Sequence, residues 1–247
     1  MSRILVVWED ANWQTLGLVV KRRLPKRQSD PPRSFPSVLF HTANGNGNFG
    51  RYVGMTWRNA ARKGLPTNPG PIDHLVCVAD GDRLHEVFPS INPPPKSTHE
   101  VPAWHLKAEA EWQAHLRRLC DPSLSADTVH GLVLRWSKES LVLAGYDQAP
   151  LKEHLGIDYH SAEFQGAVVD CSPPVATVAE TLFSDTYQRP LLCLRHVQQA
   201  AKRPPVEKNS PEIDDALKDL ATRHLDPVCR RVPDIDRLVD LIWQLSG

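Results

Sequence analysis

A chain of 247 residues with 41% apolar content is long enough to bury a real core, which excludes wholesale disorder. Twenty-nine basic residues balance twenty-nine acidic ones, so no net field draws the molecule to nucleic acid or to an anionic membrane, and any phosphate binding has to come from local patches. The five cysteines, Cys77, Cys120, Cys171, Cys193 and Cys229, form no CxxC pair, which points to reduced thiols and a reducing compartment rather than a disulfide framework or a zinc site.

From the start of the chain, Arg3 to Trp8 is a continuous apolar run that reads as a buried strand. It is too short for a signal-peptide core, and no segment reaches the roughly 18 apolar residues of a transmembrane helix, so a cytoplasmic protein is expected. Trp13, Leu16, Val19 and Val20 then have helical spacing within Asn12 to Leu24. Ser37 to Ala43 predicts a second strand, Arg51 to Lys63 a second helix, and His74 to Ala79 a third strand that runs into an acidic turn. Trp104 to Leu119 reads as a helix with Trp104, Leu106, Trp112 and Leu116 on its apolar positions, Val129 to Trp136 as a fourth strand, and Lys138 to Leu143 as a short helix. Beyond residue 150 the pattern weakens to one apolar stretch, Gly166 to Cys171, followed by helices at Pro190 to Ala201, Glu212 to His224 and Pro233 to Ser246. Alternating strands and helices predict an α/β domain over residues 1–148 with a mostly parallel, Rossmann-like sheet covered by helices on both faces, and a mainly helical extension over residues 149–247.

Two acidic groups fall at strand ends, where parallel sheets collect functional residues: Glu9 and Asp10 after the first strand, Asp80-Gly81-Asp82 after the third. Such oxygen ligands suit Mg²⁺ (or Mn²⁺), which takes one or two protein carboxylates and completes its shell with water and phosphate. Glu9 can serve beside the ion as general acid or base, or join it as a ligand. The alternatives are an ordinary D-G turn and a helix N-terminus supplied with negative charge. The glycine-rich segment Gly45 to Gly50, followed by Arg51, reads either as a flexible turn, as a phosphate-holding loop, or as a dinucleotide fingerprint displaced to the second strand. Arg58, Arg62 and Lys63 form a basic cluster that can supply phosphate contacts if it lies on the acidic side.

The segments Ile4-Leu-Val-Val-Trp-Glu9 and Leu75-Val-Cys-Val-Ala-Asp80-Gly-Asp82, in the order strand, helix, strand, helix, strand, resemble the TOPRIM family, with Asp10 standing where that family usually has glycine. The resemblance covers residues 1 to about 145. It implies Glu9 as acid/base, Asp80 and Asp82 as the metal pair, and, from a looser match over Arg135 to Leu143 to the nucleases of that group, Glu139 toward a second metal and Lys138 toward a phosphate. It further implies an Mg²⁺-dependent nucleic-acid phosphodiester hydrolase, a nuclease of the kind found in bacterial anti-phage defence or mobile-element systems. The rival expectations are a non-catalytic subunit that docks a protein partner through its proline-rich loops or the amphipathic helix at 233–246, and a nucleotide-binding enzyme that uses the glycine-rich loop.

Overall fold

The computed structural model describes residues 2–9, 13–27, 35–82, 84–94, 100–135, 137–162, 190–207 and 210–247. Contacts divide the chain into two compact units, and the division is not a single cut near residue 148. One unit comprises Met1–Pro93, Leu106–Leu134 and Ile235–Gly247; the other comprises Pro94–His105 and Arg135–Asp234.

The first unit is built on four parallel strands, β1 (Arg3–Trp8), β2 (Ser37–Thr42), β5 (His74–Asp80) and β6 (Val129–Leu134), in the order β2-β1-β5-β6. Ile4 to Trp8 and Leu75 to Ala79 are buried at every position. Successive side chains of a strand point to opposite faces, so both faces of the two central strands are covered, as their unbroken apolar runs predict. The connections are α1 (Trp13–Arg23), then a helical run over 49–63, and α5 (Val101–Leu119). The helical run consists of α2 (Phe49–Arg51), a π turn (Tyr52–Thr56) and α3 (Trp57–Lys63). One wide turn in its middle keeps Phe49, Val53 and Trp57, spaced by four residues, all buried. A small hairpin of β3 (Gly64–Leu65) and β4 (Asn68–Pro69) leads from this run toward β5, and α4 (Leu84–Val87) follows it.

Trp112 of α5 is fully buried, donates its indole N–H to the Cys77 carbonyl at 3.3 Å, and meets Phe49 and Phe88 at centroid distances of 5.0 and 4.9 Å. Gly131 of β6 makes room for it: a Cβ there would lie 2.9 Å from the Trp112 ring. Burying a side chain of this size contributes on the order of 2–3 kcal/mol. Trp57 and Trp243 are core residues too, as their helical positions predict, whereas Leu106 is 65% exposed and faces outward. Cys77 is buried, and burial pushes its thiol pKa well above the ordinary range, so it is an inert packing group.

The second unit is helical: α6 (Lys138–Leu143), α7 (Ala149–Leu155), α8 (Pro190–Ala200), α9 (Pro211–Arg223) and α10 (Leu225–Arg231). Both α7 and α10 are additions to the helices expected from the sequence. Helix α9 packs against α6 and α7, and α8 against α6. The apolar stretch Gly166 to Cys171 lies outside the described residues. Asp234, which opens α11 (Asp234–Leu245), is fully buried; it accepts from the Arg135 backbone N–H at 3.0 Å and pairs with the Arg135 guanidinium at 3.1 Å. The rest of α11 belongs to the sheet unit, where Asp236 pairs with Arg23 and Asp240 with Arg27, and where Trp243 donates to the Leu24 carbonyl. Its apolar face, Ile235, Leu238, Val239 and Ile242, is almost wholly buried. That face is therefore core and does not stand open as a docking surface.

Candidate functional site at the carboxyl end of the sheet

Beside β1 the chain must cross from the β2 side to the β5 side, and at such a switch point the loops leave in opposite directions and open a crevice at the carboxyl ends of the strands. Glu9 follows β1 here and Asp80 closes β5, on adjacent parallel strands paired through Trp8 and Val78. The Glu9 backbone N–H donates to the Val78 carbonyl at 3.2 Å, and the Asp80 N–H donates to Glu9 Oε2 at 3.0 Å. One carboxylate oxygen of Glu9 is thus held over the end of β5 by backbone geometry.

Neighbouring loops are tied to the same place. The Gly45 N–H donates to the Glu9 carbonyl at 2.8 Å, in a loop where Asn44 and Gly45 have φ of +55° and +110°. Glycine reaches the second of these without strain, and asparagine tolerates the first. The Asn48 side-chain amide spans the loop to the Asn44 carbonyl at 2.7 Å. On the other side, the Gly81 N–H donates to the Leu134 carbonyl at 2.9 Å, which fixes the Asp80-Gly81-Asp82 turn to the end of β6. Glu9, Asp80 and Asp82 are all partly accessible. Asp10 lies outside the described residues.

Among the described residues, Glu9, Asp80 and Asp82 do not bring three ligand atoms within 4.8 Å of one another. The three carboxylates therefore do not form a closed protein cage for an ion.

The basic residues expected to contact phosphate are distributed unevenly. Arg51 is exposed and directly follows the glycine-rich loop at the carboxyl end. Arg58, Arg62 and Lys63 sit on α3, which returns the chain to the amino end of the sheet. There the Gly70 N–H donates to the Lys63 carbonyl, the Ile72 N–H to the Ala60 carbonyl, and Arg3 at the start of β1 binds the 68–71 carbonyls. Arg58 pairs with Asp121 at 3.1 Å and Arg62 donates to Ser123 at 3.2 Å, both in the loop that precedes β6. A six-residue strand spans about 20 Å, so this cluster belongs to the end of the sheet opposite Glu9 and Asp80.

Lys138 and Glu139 lie in the helical unit and are engaged there. Ser137 Oγ donates to Glu139 Oε2 at 2.7 Å, and Lys138 Nζ lies 3.2 Å from Asp214 Oδ1, with the two side chains only 4% and 9% exposed. An ammonium so enclosed needs its carboxylate partner to remain charged, which gives Lys138 a structural duty.

Of the histidines in the sequence, His154 and His160 form the closest pair outside the predicted helices, but the structure puts His154 on α7 and groups it with other residues. In the helical unit His154 Nε2 lies 2.7 Å from Asp219 Oδ2, and Glu153, His154 and Asp219 place one ligand atom each within 4.8 Å of one another. Arg223 contacts both carboxylates, Glu153 at 2.6 Å and Asp219 at 2.8 Å. The His154 contact, and then Arg223, hold the Asp219 carboxyl below the usual carboxylate range. The adjacent Glu-His pair on α7 was visible in the sequence, but nothing local links it to a residue 65 positions later.

No helix among the described residues is long and apolar enough to cross a membrane. No family model, curated protein or solved structure matches the chain.

Proposed function

We propose that the chain is an Mg²⁺- or Mn²⁺-dependent hydrolase of nucleic-acid phosphodiesters whose centre lies at Glu9, Asp80 and Asp82. The observation that carries this reading is the contact between Glu9 Oε2 and the Asp80 N–H at the switch point of the sheet, because it joins two acidic groups that are 71 residues apart in sequence. Asp80 and Asp82 would hold the ion, which supplies charge neutralisation for an attacked phosphate and lowers the pKa of a bound water. Glu9, whose orientation is set by the Asp80 N–H, is placed to move a proton beside it. Arg51 and the backbone of the 44–48 loop are the phosphate contacts in this reading, and Arg58, Arg62 and Lys63 are not. The TOPRIM resemblance supports it through the same residues, and a role in bacterial defence rests on that resemblance alone.

The test is calorimetric titration of Mn²⁺ into the wild type and an Asp80→Ala/Asp82→Ala variant, with single- and double-stranded DNA and RNA followed for cleavage in parallel. Binding and cleavage lost together in the variant support the proposal. Cleavage that persists in the variant, or a wild type that neither binds the ion nor cleaves, refutes it.

A further inference from the structure

Helices α7 and α9 place a second set of ligand-type side chains together, within the helical unit and without recourse to the sheet. Glu153 and His154 occupy the last turn of α7, which Gly156 ends in a left-handed conformation at φ +65°. Asp219 lies on α9 one turn before Arg223. The four side chains are 49%, 29%, 38% and 42% exposed in the order Glu153, His154, Asp219, Arg223, so all are reachable from solvent and none is locked by packing.

One guanidinium against two carboxylates leaves net negative charge whenever His154 is neutral, and the lysines adjacent in sequence, Lys152 and Lys218, are paired elsewhere, with Asp158 at 2.6 Å and Asp215 at 2.8 Å. Imidazole nitrogen with two carboxylates is a donor set for a borderline divalent ion rather than for Mg²⁺ or Ca²⁺, which prefer all-oxygen shells. A tetrahedral zinc shell puts its ligand atoms roughly 3.4 Å apart, from bonds of about 2.0–2.2 Å. The observed group, within 4.8 Å, reaches that spacing by rotation of exposed side chains, with the His154–Asp219 hydrogen bond and the Arg223 bridges giving way to metal bonds. Glu153 and His154 also line a cleft of about 420 Å³ shared with Lys152, Gln198 and Arg203, which gives room for a fourth ligand.

We propose that Glu153, His154 and Asp219 bind a divalent ion of the zinc class, with Arg223 as the cation that holds the carboxylates in its absence. This goes beyond the hydrolase reading and does not depend on it.

The experiment uses the full-length chain carrying Asp80→Ala/Asp82→Ala, so that the sheet carboxylates contribute nothing. Zn²⁺ is titrated by calorimetry, and Co²⁺ is followed by its visible absorption. The expected result is one saturable ion per chain with a nitrogen-containing Co²⁺ spectrum. His154→Ala should weaken binding at least about 100-fold, since even outer partners of a metal ligand are worth 10–100-fold. Asp219→Asn should weaken it as well, and Arg223→Gln should tighten it several-fold because a competing cation is gone. Circular dichroism of each variant checks that the helices persist. Absence of saturable binding overturns the proposal, as does binding that His154→Ala and Asp219→Asn leave unchanged. Binding weakened by Arg223→Gln overturns the role given to Arg223.

Discussion

The two ends of the parallel sheet are made of the same strands yet are organised by different chemistry. At the amino end, side chains close on one another or on carbonyls. The Arg3 guanidinium binds the carbonyls of Asn68, Pro69, Gly70 and Pro71, Arg58 meets Asp121, and His130 Nε2 lies 3.4 Å from His74 Nδ1. At the carboxyl end, the Asp80 backbone N–H donates to the Glu9 carboxylate, and Glu9, Asp80 and Asp82 are all partly accessible. Side-chain contacts fasten the amino end, whereas at the carboxyl end the main chain orients a carboxylate that solvent can reach. In the proposed function the first end is scaffold and the second is site.

Five changes test that separation, from the largest expected loss of stability to the smallest. Arg3→Ala removes several charge-assisted bonds to carbonyls and is expected to cost about 2–3 kcal/mol in urea unfolding, with cleavage per folded molecule unchanged. Acidification should act at the same end. Burial, then the neighbouring His74, lowers the His130 pKa from 6.5 to about 4. Between pH 6.5 and 4 the unfolded chain therefore takes up a proton that the folded chain refuses, so stability falls as pH drops through that window. A His130→Gln variant should show a flatter dependence of melting temperature on pH, and an unaltered slope would remove His130 from the account. Glu9→Gln should invert the profile of Arg3→Ala: weakening the bond from the Asp80 N–H should cost about 1 kcal/mol, and under the proposed function metal-dependent cleavage should be lost. Arg58→Ala, at a half-exposed ion pair, should cost under about 1 kcal/mol and leave nucleic-acid affinity unchanged. Arg51→Ala, by contrast, should lower the salt slope of binding by about one phosphate contact. A loss of affinity in Arg58→Ala would erase the distinction between the ends.

The strands were legible because burial on both faces writes itself as uninterrupted apolar runs, as in Ile4 to Trp8 and Leu75 to Ala79. Helix positions followed from apolar spacing, and Trp57, Trp112 and Trp243 are core for that reason. Strand order is not local information, so nothing in the sequence alone placed Glu9 beside Asp80. The direction in which a helix runs past the sheet is equally nonlocal. Arg51 and Lys63 are only twelve residues apart yet belong to opposite ends, because α3 carries the chain back along the strands. The phosphate role of Lys138 came from the resemblance over Arg135 to Leu143, and its ion pair with Asp214, 76 residues later, is a contact that no local pattern announces. The Glu153–His154–Asp219 group was hidden in the same way by the pairing of α7 with α9.

Ile235–Gly247 completes the unit to which β1 belongs, with Asp236 on Arg23, Asp240 on Arg27 and Trp243 on the Leu24 carbonyl. During synthesis the first strand emerges from the ribosome more than two hundred residues before the helix that seals its neighbour. At about 5–20 residues per second, that leaves a wait on the order of ten seconds or more. Throughout it, Arg23, Arg27 and the Leu24 carbonyl lack the contacts that α11 supplies. Until residues 235–247 have emerged, the unit that contains β1 is incomplete, and a stop codon near residue 234 would injure β1 and α1 as much as the helices just before it.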